Sequence, residues 1–417
     1  MEEQYAEDFF VANRWILQCA GLWSPDGQHK VLRMLYKLYS IGIFLFVNIF
    51  FTATEFVSLY YTYGNEYDLI KNISFALTHL MGAIKVVFFY FQKHKLLAIM
   101  DTLENKEFRY DSCTEKSFFP GLISRRYKNI GVKYTILFFI LAHATLFSSY
   151  LPPTISTLMN SSRRGAEGQG LYVLPYYSWM PFKYNTDDSF LLALGYQAIP
   201  MFSYAYSIVG MDTLFMNILN SIGFNLKMVQ GAFLTIRNRI VKQTGKSIYK
   251  SSILLDSEEL KLKLCNEMKK ICHHLQIIYK VCEDLENVHK YLTLAQMTAT
   301  LFILCSCLYL VSSTPITSKQ FYAEIVYMVA MGFQLTLYCW FGNEVTLKAA
   351  ELPLYIWQCD WLTANNNFKT SMILTMARAK KPLYLSAGNF APLTLSTFVS
   401  IIKGSYSFFT VLKSTNE

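Results

Sequence analysis

Charged residues are scarce in this chain of 417 residues, since Asp, Glu, Lys and Arg make up only 16% of it. A typical soluble globular protein carries about 25% of these residues. Two stretches, 72–91 and 390–412, contain one charged residue each, Lys85 and Lys403. Five further stretches contain none: 38–54, 134–151, 189–211, 292–313 and 325–343. Uncharged runs of this length exclude an ordinary soluble protein.

The seven weakly charged stretches have the length of membrane spans. A helix needs roughly 20 mainly apolar residues to cross a hydrocarbon core about 30 Å thick. Backbone N–H and C=O groups cannot stay unpaired in lipid, so spans of this composition are helices. The sequence therefore predicts an all-α integral membrane protein with seven transmembrane helices in a lipid bilayer.

Several motifs of other protein classes are missing. The chain has no glycine-rich nucleotide loop, no Gly-x-Ser-x-Gly elbow and no His-Glu-x-x-His sequence, so nothing supports an enzyme or a cofactor. The cysteines and histidines of residues 265–289 do not follow a metal-ligand spacing, and no metal site is predicted. The acidic start of the chain, MEEQYAED, lacks the basic end of a signal peptide.

The lysines and arginines predict the orientation in the membrane. With a cytosolic amino terminus, the inside segments contain 30 of these residues and the outside loops contain 5, as the positive-inside rule requires. The two Asn-x-Ser sequons, at Asn72 and Asn160, then fall outside and are candidate glycosylation sites. No cysteine lies in an outside loop, so no extracellular disulfide is expected. The net charge of +9 is thus an orientation signal and not a nucleic-acid footprint.

The carboxyl-terminal region contains a recognisable motif. Met376, Arg378, Lys381 and Pro382 are followed by Ala387-Gly-x-Phe390 and by the sequence KGSYSFFTVL of residues 403–412. This order of residues resembles the insect odorant receptor family, as do the chain length and the predicted inverted topology. The Ser-Tyr pair without a following Gln-Phe resembles the odour-tuning subunit more than the gustatory receptors or the shared co-receptor.

The resemblance implies a function and partners. Members are odorant-gated, non-selective cation channels that assemble as heterotetramers with a co-receptor subunit, in the plasma membrane of olfactory sensory neurons. Their ligands are small, volatile and apolar. Two alternatives stay open: a seven-helix chemoreceptor that signals through a second messenger, and a gustatory-type receptor channel. A G-protein-coupled receptor is disfavoured by the inside amino terminus and by the missing Asn-Pro-x-x-Tyr motif, and a transporter by the lack of repeated halves.

The chain divides into four predicted segments. Residues 1–37 form a cytosolic amino-terminal segment, and 38–343 hold helices one to six with a cytosolic helical extension at 256–291. Residues 344–389 form a cytosolic anchor, and 390–417 hold helix seven and an extracellular tail. The extension carries apolar residues at alternating steps of three and four from Leu264 to Leu292, a pattern typical of helix packing. This face packs either within its own subunit or between subunits, and the resemblance favours assembly.

Helix seven carries a polar stripe on one side. At 100° per residue, its members fall within a sector of about 80°; they are Ser396, Ser400, Lys403, Ser407 and Thr410. A lysine facing lipid is costly, so the stripe faces either other helices of the same subunit or a water-filled pore. The resemblance favours Ser400, Lys403, Ser407 and Thr410 as pore-lining residues and implies a gate at Phe409 and Leu412. These two residues lie on the opposite face from the stripe, so either face of helix seven could line the pore. Pro392 is expected to interrupt the helix near its cytosolic end.

The resemblance also places the odorant site among helices two, three, four and six. An apolar cavity with few polar contacts suits such a ligand. The predicted ligand-binding residues are Ile73, Ala76, Leu77, Leu80, His143, Phe147, Tyr150, Tyr196, Ile199, Pro200, Tyr322, Ile325, Val326 and Val329. His79 and His143 are candidate polar contacts for a hydroxyl or carbonyl group, or else form interhelical hydrogen bonds.

Overall fold

Long helices dominate the computed structural model, which describes residues 5–25, 29–161, 172–243 and 258–416. A segment of π-helix, Phe44–Phe51, joins the second and third helices, and a two-stranded hairpin, β1 (Ser386–Ala387) and β2 (Ala391–Pro392), precedes the last. The helices are α1 (Val11–Cys19), α2 (Lys30–Ile43), α3 (Thr52–Thr62), α4 (Glu66–Leu103), α5 (Pro120–Ser161), α6 (Asp187–Leu234), α7 (Ile236–Gln243), α8 (Glu258–Ser313), α9 (Lys319–Trp357), α10 (Asn366–Ala379) and α11 (Leu395–Asn416). All nine cysteines are free thiols.

Six helices among the described residues are long and apolar enough to cross a membrane: Lys30–Thr62, Glu66–Phe108, Pro120–Thr157, Glu258–Ser313, Lys319–Trp357 and Leu395–Ser414. They contain five of the seven predicted spans in full and most of a sixth, 390–412. The helix Glu258–Ser313 has 56 residues and is therefore about 84 Å long at 1.5 Å per residue. Because a bilayer core is only about 30 Å thick, a large part of α8 extends beyond it. The predicted helical extension at 256–291 requires such a length.

The seventh predicted span, 189–211, lies in α6, which is the most enclosed helix of the bundle. Every residue from 209 to 226 is buried. Polar side chains of α6 bond to the surrounding helices. Asn217 donates to Asn13 and Thr135, and Asn220 donates to the Tyr127 carbonyl. A central helix can carry such residues because every polar group finds a protein partner.

A buried ion pair lies at the middle of the bundle. Lys85 Nζ of α4 is 2.6 Å from Asp212 Oδ1 of α6, and the two side chains are 2% and 0% exposed. Tyr338 and Gln334 of α9 both donate to the same carboxylate. The carboxylate thereby joins three helices. The single charge within span 72–91 is neutralised inside the chain.

The alternating apolar face of α8 packs within its own subunit. Leu264, Met268, Ile271, Leu275 and Ile278 are all at most 3% exposed in the single chain. They pack against α4, α6 and α7. The expectation that this face joins subunits is therefore wrong, because a face covered by its own chain is not available to a partner. The periodicity identified a packing surface but carried no information about its partner.

One histidine of this region illustrates how the extension is held. His274 Nδ1 lies 3.0 Å from the Tyr110 hydroxyl, and Nε2 lies 3.2 Å from Asn225 Oδ1. Burial, with Lys270 and His273 nearby, lowers the pKa of His274 to about 3. A neutral imidazole donates to Asn225 and accepts from Tyr110, so both ring nitrogens are satisfied at neutral pH.

The hairpin before the last helix ends the preceding segment sharply. Ser386 pairs with Pro392 and Ala387 with Ala391, while Gly388 and Asn389 adopt positive φ angles of 62° and 63°. A Cβ atom on Gly388 would come within 2.5 Å of Leu294 on α8, so glycine is needed there. Helix α11 begins at Leu395 and Pro392 lies in β2. The expectation that Pro392 interrupts a helix is therefore wrong, because a hairpin and not a helix precedes α11.

The buried pair predicts a non-additive effect on stability. Lys85→Met leaves Asp212 charged without a cation and should lower the free energy of unfolding by about 3–5 kcal/mol. The double variant Lys85→Met with Asp212→Leu removes both charges and should recover most of that loss. Thermal unfolding in detergent, followed by fluorescence-detected size-exclusion chromatography, measures both.

Lys263→Met is the matched control, because the Lys263 ion pair with Glu259 is exposed and should matter little. A double variant that is as unstable as Lys85→Met would contradict the role of charge balance at this pair.

Candidate functional site

A small cavity lies between α4, α5, α6 and α9. Its volume is about 80 Å³, well below the roughly 300–1,000 Å³ of sites for drug-sized ligands. It is lined by Phe75, Thr78, His79, Phe138, Ala142, Thr145, Leu146, Tyr176, Met201, Tyr204, Ala205, Ile208, Val209, Tyr327, Ala330, Met331 and Gln334. We call it the bundle cavity. Its walls are mostly aromatic and aliphatic, so it suits a small apolar guest.

The loop before α6 closes one side of the bundle cavity. Gln197 of α6 donates to the Tyr176 carbonyl at 2.7 Å and accepts from the Tyr176 amide at 3.4 Å. The Tyr176 ring then packs edge-on against Phe75, with the ring centroids 5.1 Å apart. A single side chain on α6 thus positions a loop residue over the cavity.

The polar side chains of the lining bond mainly to protein atoms. Tyr327 and Thr78 share a hydrogen bond of 2.6 Å between their hydroxyls. His79 Nδ1 lies 2.6 Å from Glu55 Oε1 on α3, and the His79 ring stacks on Tyr204 at 4.3 Å. Gln334, another polar side chain of the lining, donates to Asp212 of the central ion pair. The cavity wall is therefore continuous with the polar core of the bundle.

The predicted ligand-binding residues lie on the expected helices but on other faces of them. None lines the bundle cavity, so the prediction is wrong as a description of this lining. Five are 42–59% exposed on the outside of the single chain: Ile73, Phe147, Ile199, Tyr322 and Val329. Since one residue turns a helix by 100°, a displacement of one or two positions was enough to leave the cavity.

The remaining predicted residues pack elsewhere in the bundle. His143 Nδ1 donates to the Phe139 carbonyl at 2.8 Å within α5, so this bond is not the interhelical one expected as the alternative. Tyr196 packs against Phe46 and Phe51 of the first span, and Tyr150 packs beside Tyr176. Ala76 and Pro200 are buried, and Leu77, Leu80, Ile325 and Val326 are half-buried.

One predicted polar contact, His79 of α4, does line the cavity. A further signal in the sequence could have located the lining. On α6, Met201, Tyr204, Ala205 and Ile208 recur at steps of three, one and three, the spacing of one helix face. Tyr176 could not be located in this way, because it lies in a loop without periodicity.

The last helix has two opposite faces. Ser405 is 1% exposed, and its hydroxyl donates to the Leu301 carbonyl of α8 at 3.0 Å. Phe398 and Ile401 pack on the core on the same side. The polar stripe lies on the other side, where Ser400, Lys403, Ser407 and Thr410 are all exposed in the single chain. The alternative in which the stripe packs on its own subunit is excluded.

The predicted gate residues do not share the face of the polar stripe. Phe409 and Leu412 are half-buried on the side that carries Ser405, since they lie within about 40° of it at 100° per residue. In this structure they are directed toward their own bundle, so the gate assignment is wrong for this arrangement. The apolar side chains that flank the stripe are Val399, Tyr406 and Val411, which are 45–63% exposed.

Of the two sequons, the structure describes the side chain of Asn72 only. Asn72 is 1% exposed, and its Nδ2 atom donates to Ser58 at 2.7 Å and to Thr62 at 3.3 Å. This nitrogen is the atom that a glycan would modify, so the structure argues against Asn72 as a glycosylation site. The side chain of Asn160 lies outside the described residues.

A larger groove of about 810 Å³ opens on the part of α8 that extends beyond the span, beside α10 and the hairpin. Its lining is charged, with Glu283, Glu286, Arg378 and Lys381 among the contacts. The Arg378 guanidinium lies 4.4 Å from the centroid of the Tyr279 ring. An open charged groove is a poor site for an apolar ligand. Within the described residues, no three His, Cys, Asp or Glu side chains are placed to hold a metal ion.

Comparison with known proteins agrees with this architecture. The chain is 22% identical to Odorant receptor 2a of Drosophila melanogaster, over 99% of both chains. It is 21% identical to Odorant receptor Or1 of Anopheles gambiae, over 98% of this chain and 95% of that one.

A solved structure has the same fold. The insect olfactory receptor OR5 from Machilis hrabei, in complex with eugenol, superposes with a TM-score of 0.72 at 15% identity and covers 97% of each chain. The model of the 7tm odorant receptor family matches residues 65–406. Because this match spans most of the sequence and includes both the bundle cavity and most of the polar stripe, the chain belongs to the 7tm odorant receptor family.

Proposed function

We propose that this odorant receptor is the odour-tuning subunit of a heteromeric, odorant-gated, non-selective cation channel. The channel is completed by a co-receptor subunit in the plasma membrane of olfactory sensory neurons. The observation that carries the proposal is the polar stripe of α11, whose Lys403 is exposed on the side away from its own bundle.

The free-energy cost of exposing Lys403 to lipid supports a pore. A lysine at the centre of a lipid-facing helix costs about 2.5–3.5 kcal/mol on insertion scales. Four more polar side chains share its face of α11, so the whole face is unsuited to lipid. Water enclosed by several subunits solvates such a face, and the last helix of each subunit then lines the axis.

The bundle cavity supports gating by a small volatile ligand. At about 80 Å³ it accepts only a small molecule without movement of its walls. Its lining does not include any residue of α11. A ligand there acts on the pore only if it binds the open and closed arrangements with different affinity.

The tuning role is supported by the terminal sequence Ser405-Tyr406, which resembles tuning subunits. The decisive experiment expresses the chain with a co-receptor in cells whose G-protein signalling is blocked. Odorant-evoked cation current should persist, because no second messenger is required. Loss of the whole current under the block would support the second-messenger alternative and overturn the channel.

We further propose a cytosolic amino terminus and an extracellular carboxyl terminus, in line with the 30 lysines and arginines of the inside segments. An epitope tag after Glu417 should then bind antibody on intact cells, and a tag before Met1 should need permeabilisation. The reverse staining pattern would contradict this orientation.

The pore assignment predicts which positions of α11 water can reach in the assembled channel. Lys403→Cys and Ser407→Cys should react with a charged, water-soluble thiol reagent, and the reaction should change the odorant-evoked current. Ser405→Cys is the matched control, since Ser405 lies on the same helix at 1% exposure. Modification at position 405 but not at 403 and 407 would place the pore on the opposite face.

The charge of Lys403 should also affect permeation. At about 5 Å and an effective dielectric constant near 20, two unit charges interact by roughly 3 kcal/mol before screening. Lys403→Gln should therefore raise the single-channel cation conductance, and Lys403→Glu should raise it further. Subunits of the co-receptor would dilute the effect.

A further inference from the structure

Glu55 and His79 form a buried acid–imidazole pair beside the bundle cavity. Their side chains are 1% and 7% exposed, and Glu55 Oε1 lies 2.6 Å from His79 Nδ1. The ring is held from a second direction by Tyr204, which stacks on it. Tyr204 in turn donates to the Val47 carbonyl of the π-helical segment at 2.8 Å. The imidazole that lines the cavity therefore has a fixed orientation.

The charges around the pair limit its protonation state. Within the described residues, Lys85 is paired with Asp212 and Lys71 with Glu324, and Glu55 has an ion pair with His79 alone. Glu55 Oε2 is buried without a hydrogen-bond partner. A carboxylate beside a neutral imidazole would be an unbalanced charge in an apolar bundle, which is strongly unfavourable. The pair is therefore neutral overall.

Both neutral forms of the pair leave a hydrogen atom on Nε2. In the first form, a glutamate anion accepts from Nδ1 of an imidazolium, whose Nε2 is also protonated. In the second form, the protonated Glu55 donates to Nδ1 of a neutral imidazole, and the ring proton lies on Nε2. Nε2 is a hydrogen-bond donor in either case.

The five hydroxyls of the cavity lining all have partners in the protein. Thr78 donates to the Ser74 carbonyl and Thr145 to the Leu141 carbonyl, and the Tyr176 hydroxyl bonds to Ser149. Tyr204 donates to Val47, and Tyr327 lies within bonding distance of Thr78 and of the Ser74 carbonyl. His79 lines the cavity and Glu55 occupies its Nδ1, which leaves Nε2 as the ring nitrogen that can donate to a guest.

We propose that His79, oriented by Glu55, donates a hydrogen bond from Nε2 to an oxygen acceptor of the ligand, so that this receptor prefers small carbonyl compounds such as ketones, aldehydes and esters. The inference rests on the proposed odorant-gated channel and names the ligand class of its cavity. Glu55 is a positioning residue, since it acts through the imidazole.

Matched ligands test the proposal on the unmodified receptor. Cells that express the chain with a co-receptor are exposed to pentane, 2-pentanone and 2-pentanol, which share one carbon skeleton. The ketone should activate at a concentration about tenfold lower than the alkane, the ratio expected for one net hydrogen bond. An alcohol response that exceeds both, with the ketone no better than pentane, would mean that Nε2 accepts and would overturn the proposal.

A double variant tests the residues. His79→Phe with Glu55→Gln keeps a ring beside Tyr204 and leaves no unpaired charge, so the ketone-to-alkane ratio should fall to near one. The matched control is His143→Phe, which removes a histidine of α5 that does not line the cavity. This variant should keep the ratio. A preserved ratio in the double variant would refute the role of His79.

The role of His79 and the channel activity can be contradicted independently of each other. Odorant-evoked current without a carbonyl preference contradicts only the role of His79. Current that disappears when G-protein signalling is blocked contradicts the channel itself. If the double variant does not reach the cell surface, the comparison on the unmodified receptor still decides the ligand class.

Discussion

The carboxylate of Asp212 is the interaction on which the bundle depends most. It lies at 0% exposure on α6 and accepts from Lys85, Tyr338 and Gln334, which belong to α4 and α9. A buried charge of this kind requires all its partners at once, because an uncompensated one costs several kcal/mol. It therefore fixes the relative position of three helices at one point, and Gln334 carries that constraint to the wall of the bundle cavity.

The same polar core connects the cavity to the last helix. Gln296 of α8 donates to Gln334 at 3.2 Å, and α8 is the helix on which α11 packs. About one turn further along α8, the Leu301 carbonyl accepts from Ser405 of α11. A ligand that displaces Gln334 or its neighbours thus acts on groups that are bonded to α8, the helix on which α11 packs. In the proposed channel, coupling between the bundle cavity and the pore therefore requires no contact between the ligand and α11.

The helices and their number were largely predictable from the sequence, because a 20-residue apolar run has one stable backbone structure in lipid. The faces were predictable only where a helix has contrasting sides. The polar stripe of α11 was located correctly, whereas the lining of the cavity was not, since α4 and α6 are apolar around most of their circumference. The heptad pattern of α8 identified a packed face, but periodicity does not distinguish a helix of the same chain from one of another subunit.

The two lysines of the weakly charged spans show what distinguishes a structural charge from a functional one. Lys85 is 2% exposed and is balanced by Asp212 within the same chain. Lys403 is exposed, faces away from its own bundle, and has no ion pair within the described residues. Both charges would be unfavourable in lipid. Folding of one chain resolves only the first. The second requires an aqueous or protein environment outside the subunit, which the proposed assembly around a pore would provide.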